Sequence, residues 1–172
     1  MNLYLRLLWT WLCALRKPPI RIGDTIDLQM RVWPNDLDIN GHMNNGRYMT
    51  LTDLALVEYF TRAGFLSVAL RKGWRPMLGG ALITFRRGLK PFGRYTLRFS
   101  MLCWDERWSY MGFEFISRGR TMAAGHAKGM IVGCDGIVSG HDTFAALGMD
   151  PVSPPFPPAI RSWIGLERMI GS

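Results

Sequence analysis

The stretch WPNDLDINGHMNNGRYMTLTDLALVEYF, residues 33–60, joins an acidic loop to a long apolar segment and sets the frame for the rest of the chain. Asn35, Asp36, Asp38, Asn40 and Gly41 are residues that favour bent backbone, so the first part reads as a turn. Asn44 or Asn45 then serves as an N-cap, and Tyr48, Met49, Leu51, Leu54, Ala55, Leu56, Val57, Tyr59 and Phe60 fill the helix behind it. Apolar residues on nearly every side predict a helix buried almost all round. Such a junction has a chemical use. The first N–H groups of a helix have no internal partner and carry partial positive charge, which suits a developing oxyanion, and a nearby carboxylate can attack or activate water. From spacing alone, Asp36 and Asp38 are more often turn or cap residues than catalysts.

Working outward, 24–33 alternates cleanly, with Ile26, Leu28, Met30 and Val32 on one face, and predicts a half-buried strand. The central helix should end near Gly64, followed by a helical turn over 65–72. Further strands are expected over 81–87, 94–104, 107–117 and 121–133, the last two joined by a tight turn at Arg118-Gly119. In 94–104, Tyr95, Leu97, Phe99, Met101 and Cys103 should share one face, and Ala123, Gly125, Ala127 and Gly129 form a small-residue face that lets another group approach. His126 lies opposite and reads as an ordinary sheet histidine. Trp104 and Trp108 bracket a hairpin at Asp105-Glu106-Arg107. One strand, one long helix and a strand meander give an α+β fold: an antiparallel sheet of five to six strands wrapped around a central helix.

The ends are different in character. Residues 2–17 place Leu3, Leu7, Leu8, Trp11, Leu12 and Leu15 at helical spacing, with Pro18 and Pro19 as the stop. This amphipathic helix is either a lid on the protein's own sheet or a membrane-surface contact; its charges leave no span long enough to cross a bilayer, and no secretory signal is expected. From Gly140 come a short helix over 142–147, a Pro-rich arm, and a helix over 161–170, together a strap across the sheet or onto a partner subunit. A chain of 172 residues divides as one domain: 1–20 the N-terminal helix, 21–136 the core, 140–172 the tail.

A net charge of +8 calls for anionic partners, while no nucleic-acid signature is present. Cys13, Cys103 and Cys134 have neither disulfide nor zinc spacing, so reduced thiols, a cytoplasmic setting and no metal are expected.

The pattern D-x-D-x-x-G-H-x-N-N-x-x-Y, formed by Asp36, Asp38, Gly41, His42, Asn44, Asn45 and Tyr48, resembles the signature of hot dog-fold acyl-CoA thioesterases of the 4-hydroxybenzoyl-CoA type, over about residues 23–134. The form D-L-D-x-x-x-H-M-N-N-x-R-Y, with Cys103-Trp104-Asp105-Glu106-Arg107 later, is similar to one thioesterase-like subgroup. The resemblance implies Asp38 as catalytic carboxylate, as nucleophile or general base, and the Asn45 backbone N–H as oxyanion donor. Where some relatives carry histidine this chain has Asn45, whose side chain could hold the carbonyl or the water. His42 is a candidate base, although a lone histidine in a turn is more often structural. Asn44, Tyr48, Arg86, Arg87 and Arg94 are candidate substrate-binding residues; with Lys90 the arginines suit coenzyme A phosphates, or form a solvated rim. Asp53 and Glu58 are read as capping or ion-pairing groups. The resemblance further implies a homodimer or dimer of dimers, with coenzyme A as part of the substrate and no other cofactor. Two further functions fit the fold: a non-catalytic acyl-CoA or lipid-binding protein, and an enoyl-CoA hydratase, whose D-x-N-P-x-H pattern Asp38, Asn40 and His42 approach but Gly41 breaks.

Overall fold

The computed structural model describes residues 3–170, so the expectation that the first helix begins at Asn2 lies outside the described residues. In chain order the elements are α1 (Leu3–Ala14), β1 (Thr25–Arg31), a 3-10 turn (Pro34–Asp36), α2 (Asn45–Arg62), α3 (Phe65–Lys72), β2 (Arg75–Phe85), β3 (Arg94–Trp104), β4 (Ser109–Ser117), β5 (Arg120–Gly133), β6 (Gly136–Val138), α4 (Gly140–Ala146) and α5 (Pro158–Ile170). The sheet runs β1-β3-β4-β5-β2, antiparallel throughout, with β6 added to β5.

Alternation puts Ile26 and Leu28 of β1, Leu97 and Phe99 of β3, Phe113 and Phe115 of β4 and Ala123 and Ala127 of β5 on one concave face. Tyr48, Leu51, Leu54, Ala55 and Tyr59 of α2 complete that core, which explains why the helix is so apolar. Leu54 is 1% exposed, and truncating a buried leucine of this kind to alanine costs about 2–5 kcal/mol. The small-residue face has a packing cause. Gly125 sits opposite Phe113, whose ring occupies the space a Cβ would need.

Turn chemistry behaves as expected. Arg118 and Gly119 adopt φ of 51° and 69°, the left-handed pair that joins two strands with two residues. Gly64, at φ 78°, separates α2 from α3.

Four expectations change. The strand expected over 81–87 begins six residues earlier, at Arg75, and ends at Phe85. Pro76 and the Leu78/Gly80 register shift break its alternation, and Gly79 is required because the Trp108 ring lies where its Cβ would be. Cys103 leaves the concave face: a register shift between Met101 and Cys103 turns it to the outer surface, where it packs with Tyr110, Ile160 and Trp163. The N-terminal helix lies on α2 and beside β1 rather than over the sheet. Finally α2 is not buried all round, because Asn45, Gly46 and Asp53 are exposed and Met49, Leu56 and Phe60 only partly covered.

The tail is a strap. α5 seats Ile160 and Trp163 on the outer face, and Lys128 of β5 is held there between the Trp108 and Trp163 rings, 4.4 and 5.7 Å from their centres, and paired with Glu167.

Candidate active site at the start of the central helix

The loop from β1 to α2 folds back on itself. The Asp38 N–H donates to the His42 carbonyl at 2.9 Å, the Gly41 N–H to the Asp38 carbonyl at 3.1 Å, and Leu37 bridges Met43. The Met43 N–H reaches the Leu89 carbonyl at 2.9 Å, tying the loop to the segment after β2.

Asn44 is the N-cap, its side-chain oxygen accepting the Gly46 N–H at 2.8 Å, and Asn45 is the first helical residue. Asn45 is exposed, and among the described residues its N–H makes no hydrogen bond, so a donor with the helix partial charge behind it faces outward. The Asn44 oxygen is engaged by the cap, and its NH2 is the donor it has for another molecule.

Asp38 is partly covered, its side chain 19% exposed. One oxygen accepts the Asn40 N–H at 2.8 Å and the other lies 3.5 Å from His42 Nδ1. The His42 side chain is 45% exposed and passes under Gly88, where an added Cβ would come within 3.0 Å of the imidazole. Tyr48 lies beneath this group. It is 1% exposed and wedged edge-on between Phe85 and Phe115, with ring centres at 5.1 and 4.8 Å. Burial raises its pKa above the usual phenol value, Leu89 backbone lowers it and the Asp38 charge adds to the rise, so the hydroxyl stays protonated at neutral pH.

Asp36 is the structural hub that spacing alone did not separate from Asp38. It has no exposed surface, and Arg6 Nη1 donates to both its oxygens at 3.0 and 2.8 Å. It also accepts the Trp33 N–H at 3.0 Å, has Arg47 Nε at 3.5 Å, and its carbonyl accepts the Asn44 N–H at 2.8 Å. Arg6 was missed as a site-supporting residue. Its signal was present: it is the single charge in residues 3–15. Glu58 is likewise buried and paired, to Lys17 at 2.7 Å and Arg62 at 3.1 Å.

The candidate phosphate-binding arginines do not form one group. Arg86 and Arg87 are exposed just past β2, both N–H groups donating to the Met122 carbonyl, next to Gly88 and His42. Arg94 opens β3, with β4 and β5 between it and β2, and pairs in register with Arg31 beside a groove under α1. Among the described residues, no cluster of His, Cys, Asp and Glu could hold a metal ion.

A cavity of about 210 Å3 lies farther along α2, lined by Leu56, Phe60, Met111, Met130, Ile131 and Phe144, with Pro76, Met77 and Leu78 of β2 beside it. Asp53 is its one carboxylate. The apolar lining desolvates that group and raises its pKa above 3.8.

Residues 32–164 match the Thioesterase-like superfamily. The chain belongs to that superfamily. Among curated thioesterase-like relatives, Protein THEM6 of Xenopus laevis is 35% identical over 86 residues, covering 50% of this chain and 42% of that protein. Thioesterase poxG of Penicillium oxalicum is 33% identical over 105 residues, covering 52% of this chain and 35% of that protein. The chain therefore spans less than half the length of these two relatives. Among solved structures, the DHNA-CoA thioesterase of Staphylococcus aureus superposes with a TM-score of 0.65 at 12% identity over 86% of this chain and 95% of that one. A Staphylococcus aureus protein solved in complex with CoA gives 0.64 at 12% identity over 82% and 94%. At such identities the likeness establishes the hot dog fold: an antiparallel sheet curled around a helix.

Proposed function

We propose that this chain hydrolyses an acyl-CoA thioester, with Asp38 as the reacting carboxylate and the Asn45 N–H as the oxyanion donor. The observation that carries the reading is the presence, in one loop and the helix start it leads into, of a partly covered carboxylate and a backbone donor that has no hydrogen-bond partner among the described residues. The thioester carbonyl binds at the Asn45 N–H, which stabilises the negative charge that builds on its oxygen. Asp38 either adds to the carbonyl carbon, expelling the CoA thiolate and leaving an anhydride that water cleaves, or takes a proton from the water that adds. Both routes consume one water and give a free acid and CoA thiol, with no metal or further cofactor. Arg6 is a positioning residue: through Asp36 it fixes the loop that carries Asp38. Arg86, Arg87 and Lys90 form the cationic rim for the CoA phosphates, and Arg94 is left out of it. The relatives solved as CoA thioesterases or with CoA bound favour this substrate class.

A homodimer completes the site in this reading. β2 is a sheet-edge strand with exposed Met77, Leu78, Leu82 and Phe85, so two copies can join edge to edge. Two-fold pairing of a strand with itself is antiparallel. The apolar cavity beside residues 76–78 of one copy then faces the residues 85–88 end, and hence the His42 and Asp38 loop, of the other. The cavity suits an apolar acyl group.

The test is a panel of acyl-CoA substrates with free-thiol detection. Turnover by the wild type and its loss in Asp38→Ala support the reading; equal inertness of both on every chain length removes it. Mixing Asp38→Ala with the cavity-filling Met130→Trp should restore activity that neither variant has alone. Acyl-CoA binding by calorimetry without turnover would favour a binding protein instead.

A further inference from the structure

The outward side of α1 is an exposed apolar face. At about 100° per residue, Tyr4, Leu15, Leu8, Leu12, Leu5 and Trp9 fall in that order across an arc of about 140°. All are exposed: Tyr4 77%, Trp9 65%, Leu5 59%, Leu15 57%, Leu8 51% and Leu12 37%. Within residues 3–15 no charged or small polar residue interrupts the arc, and Arg16, just past the helix, follows on the same side. The opposite side, through Leu3, Arg6, Leu7 and Ala14, packs inward, so this helix is apolar both where it meets the protein and where it does not.

We propose that this outward face docks on an anionic lipid surface. Three observations select that occupant. The arc is leucine at its centre with Tyr4 and Trp9 at its two margins, the arrangement that places amphipathic rings at headgroup level on either side of an apolar keel. Its surroundings are cationic: the first twenty-three residues contain Arg6, Arg16, Lys17 and Arg21 and no acid. Arg6 and Lys17 are engaged by Asp36 and Glu58, whereas Arg16 and Arg21 are exposed and make no ion pair among the described residues. α1 is packed lengthwise on α2 with Arg6 buried against Asp36, so its outward face meets a surface side-on and the helix lies in the plane of that surface. Among the described residues no helix is long and apolar enough to cross a membrane. This inference does not depend on the thioesterase reading.

The experiment is co-sedimentation of the full chain with phosphatidylcholine vesicles, with and without phosphatidylglycerol. Removing α1 is not a usable control, since it would strand the buried Asp36. A variant carrying Leu5→Gln, Leu8→Gln, Trp9→Gln and Leu12→Gln changes only exposed positions and should keep the wild-type circular dichroism and urea midpoint. The wild type should pellet with the mixed vesicles, on the order of tenfold more weakly with phosphatidylcholine alone, and similarly more weakly after Arg16→Gln with Arg21→Gln. The fourfold variant should stay in the supernatant. Wild type remaining in the supernatant with both vesicles overturns the proposal, as does a folded fourfold variant that pellets equally. Absence of pelleting together with an oligomer that the fourfold variant reduces would assign the face to a second copy.

Discussion

The two halves of the loop before α2 are built to opposite specifications. Its first half ends at Asp36, which has no exposed surface and collects Arg6, the Trp33 N–H and Arg47 from three different segments. Its second half carries Asp38, whose side chain meets only partners of the same loop among the described residues, Asn40 and His42, and keeps part of its carboxylate in the open. A carboxylate surrounded by fixed donors is a good anchor and a poor reagent, because its lone pairs and charge are already committed. One with spare capacity beside a free N–H is the reverse. The contrast divides stability from chemistry between positions 36 and 38.

Mutations can break that division. The largest effect on turnover is expected from Asp38→Asn, a loss of about 10²–10⁴-fold in kcat with the urea midpoint unchanged. Loss of fold with this change would mean that the exposed half is also structural. Asp36→Ala should do the opposite, costing about 3–5 kcal/mol in chemical denaturation because the Arg6 charge stays buried without a partner. The double change Arg6→Met with Asp36→Leu should recover much of that stability, and kcat measured on it reports how far loop position depends on the clamp. Asn45→Pro then removes the oxyanion donor alone. Proline is well tolerated as the first helical residue, and Asn44 already has the extended φ of −59° and ψ of 135° that a following proline demands. The expected result is about 10²–10³-fold lower kcat at nearly unchanged stability, and an unaffected kcat would remove the N–H from the mechanism.

The smallest effect concerns Asp53, a third carboxylate in a third condition. Although Asp53 is exposed, the apolar cavity wall beside its carboxyl desolvates it in part and raises its folded pKa, so the folded state holds its proton above pH 3.8 where the unfolded chain releases it. Stability from this group is therefore full below that value and declines as pH rises through the folded pKa. Asp53→Asn should flatten that limb in denaturant titrations across the acidic range; an unchanged slope would contradict the assigned cause.

Sequence pattern revealed whatever was set by neighbouring residues. The alternation of β1, both ends of α2 and the Arg118-Gly119 turn were legible because period, cap and left-handed turn chemistry are local. The first half of β2 was not, since Pro76 and Gly79-Gly80 erase the alternation while the ladder with β5 continues. Cys103 changed sides because a one-residue register shift inverts every side chain beyond it. The resemblance singled out Asp38 over Asp36, but the Arg6 clamp that anchors Asp36 comes from thirty residues upstream and was not legible, and Arg94 looked like a neighbour of Arg87 until the chain carried it across the sheet, with β4 and β5 between. That a turn carrying Asp38 leads into a helix start at Asn44-Asn45 was legible, as loop and cap are contiguous; which asparagine is the cap was settled only by the Asn44 side chain accepting the Gly46 N–H.

The open edge of β2 also bears on how the protein survives at low concentration. Eleven residues of unpaired ladder, with methionine, leucine and phenylalanine side chains along it, form a template that any extended segment can extend. Dilution should therefore lower the thermal midpoint, and heating should lead to aggregation that begins at residues 75–85 before the core around α2 has opened.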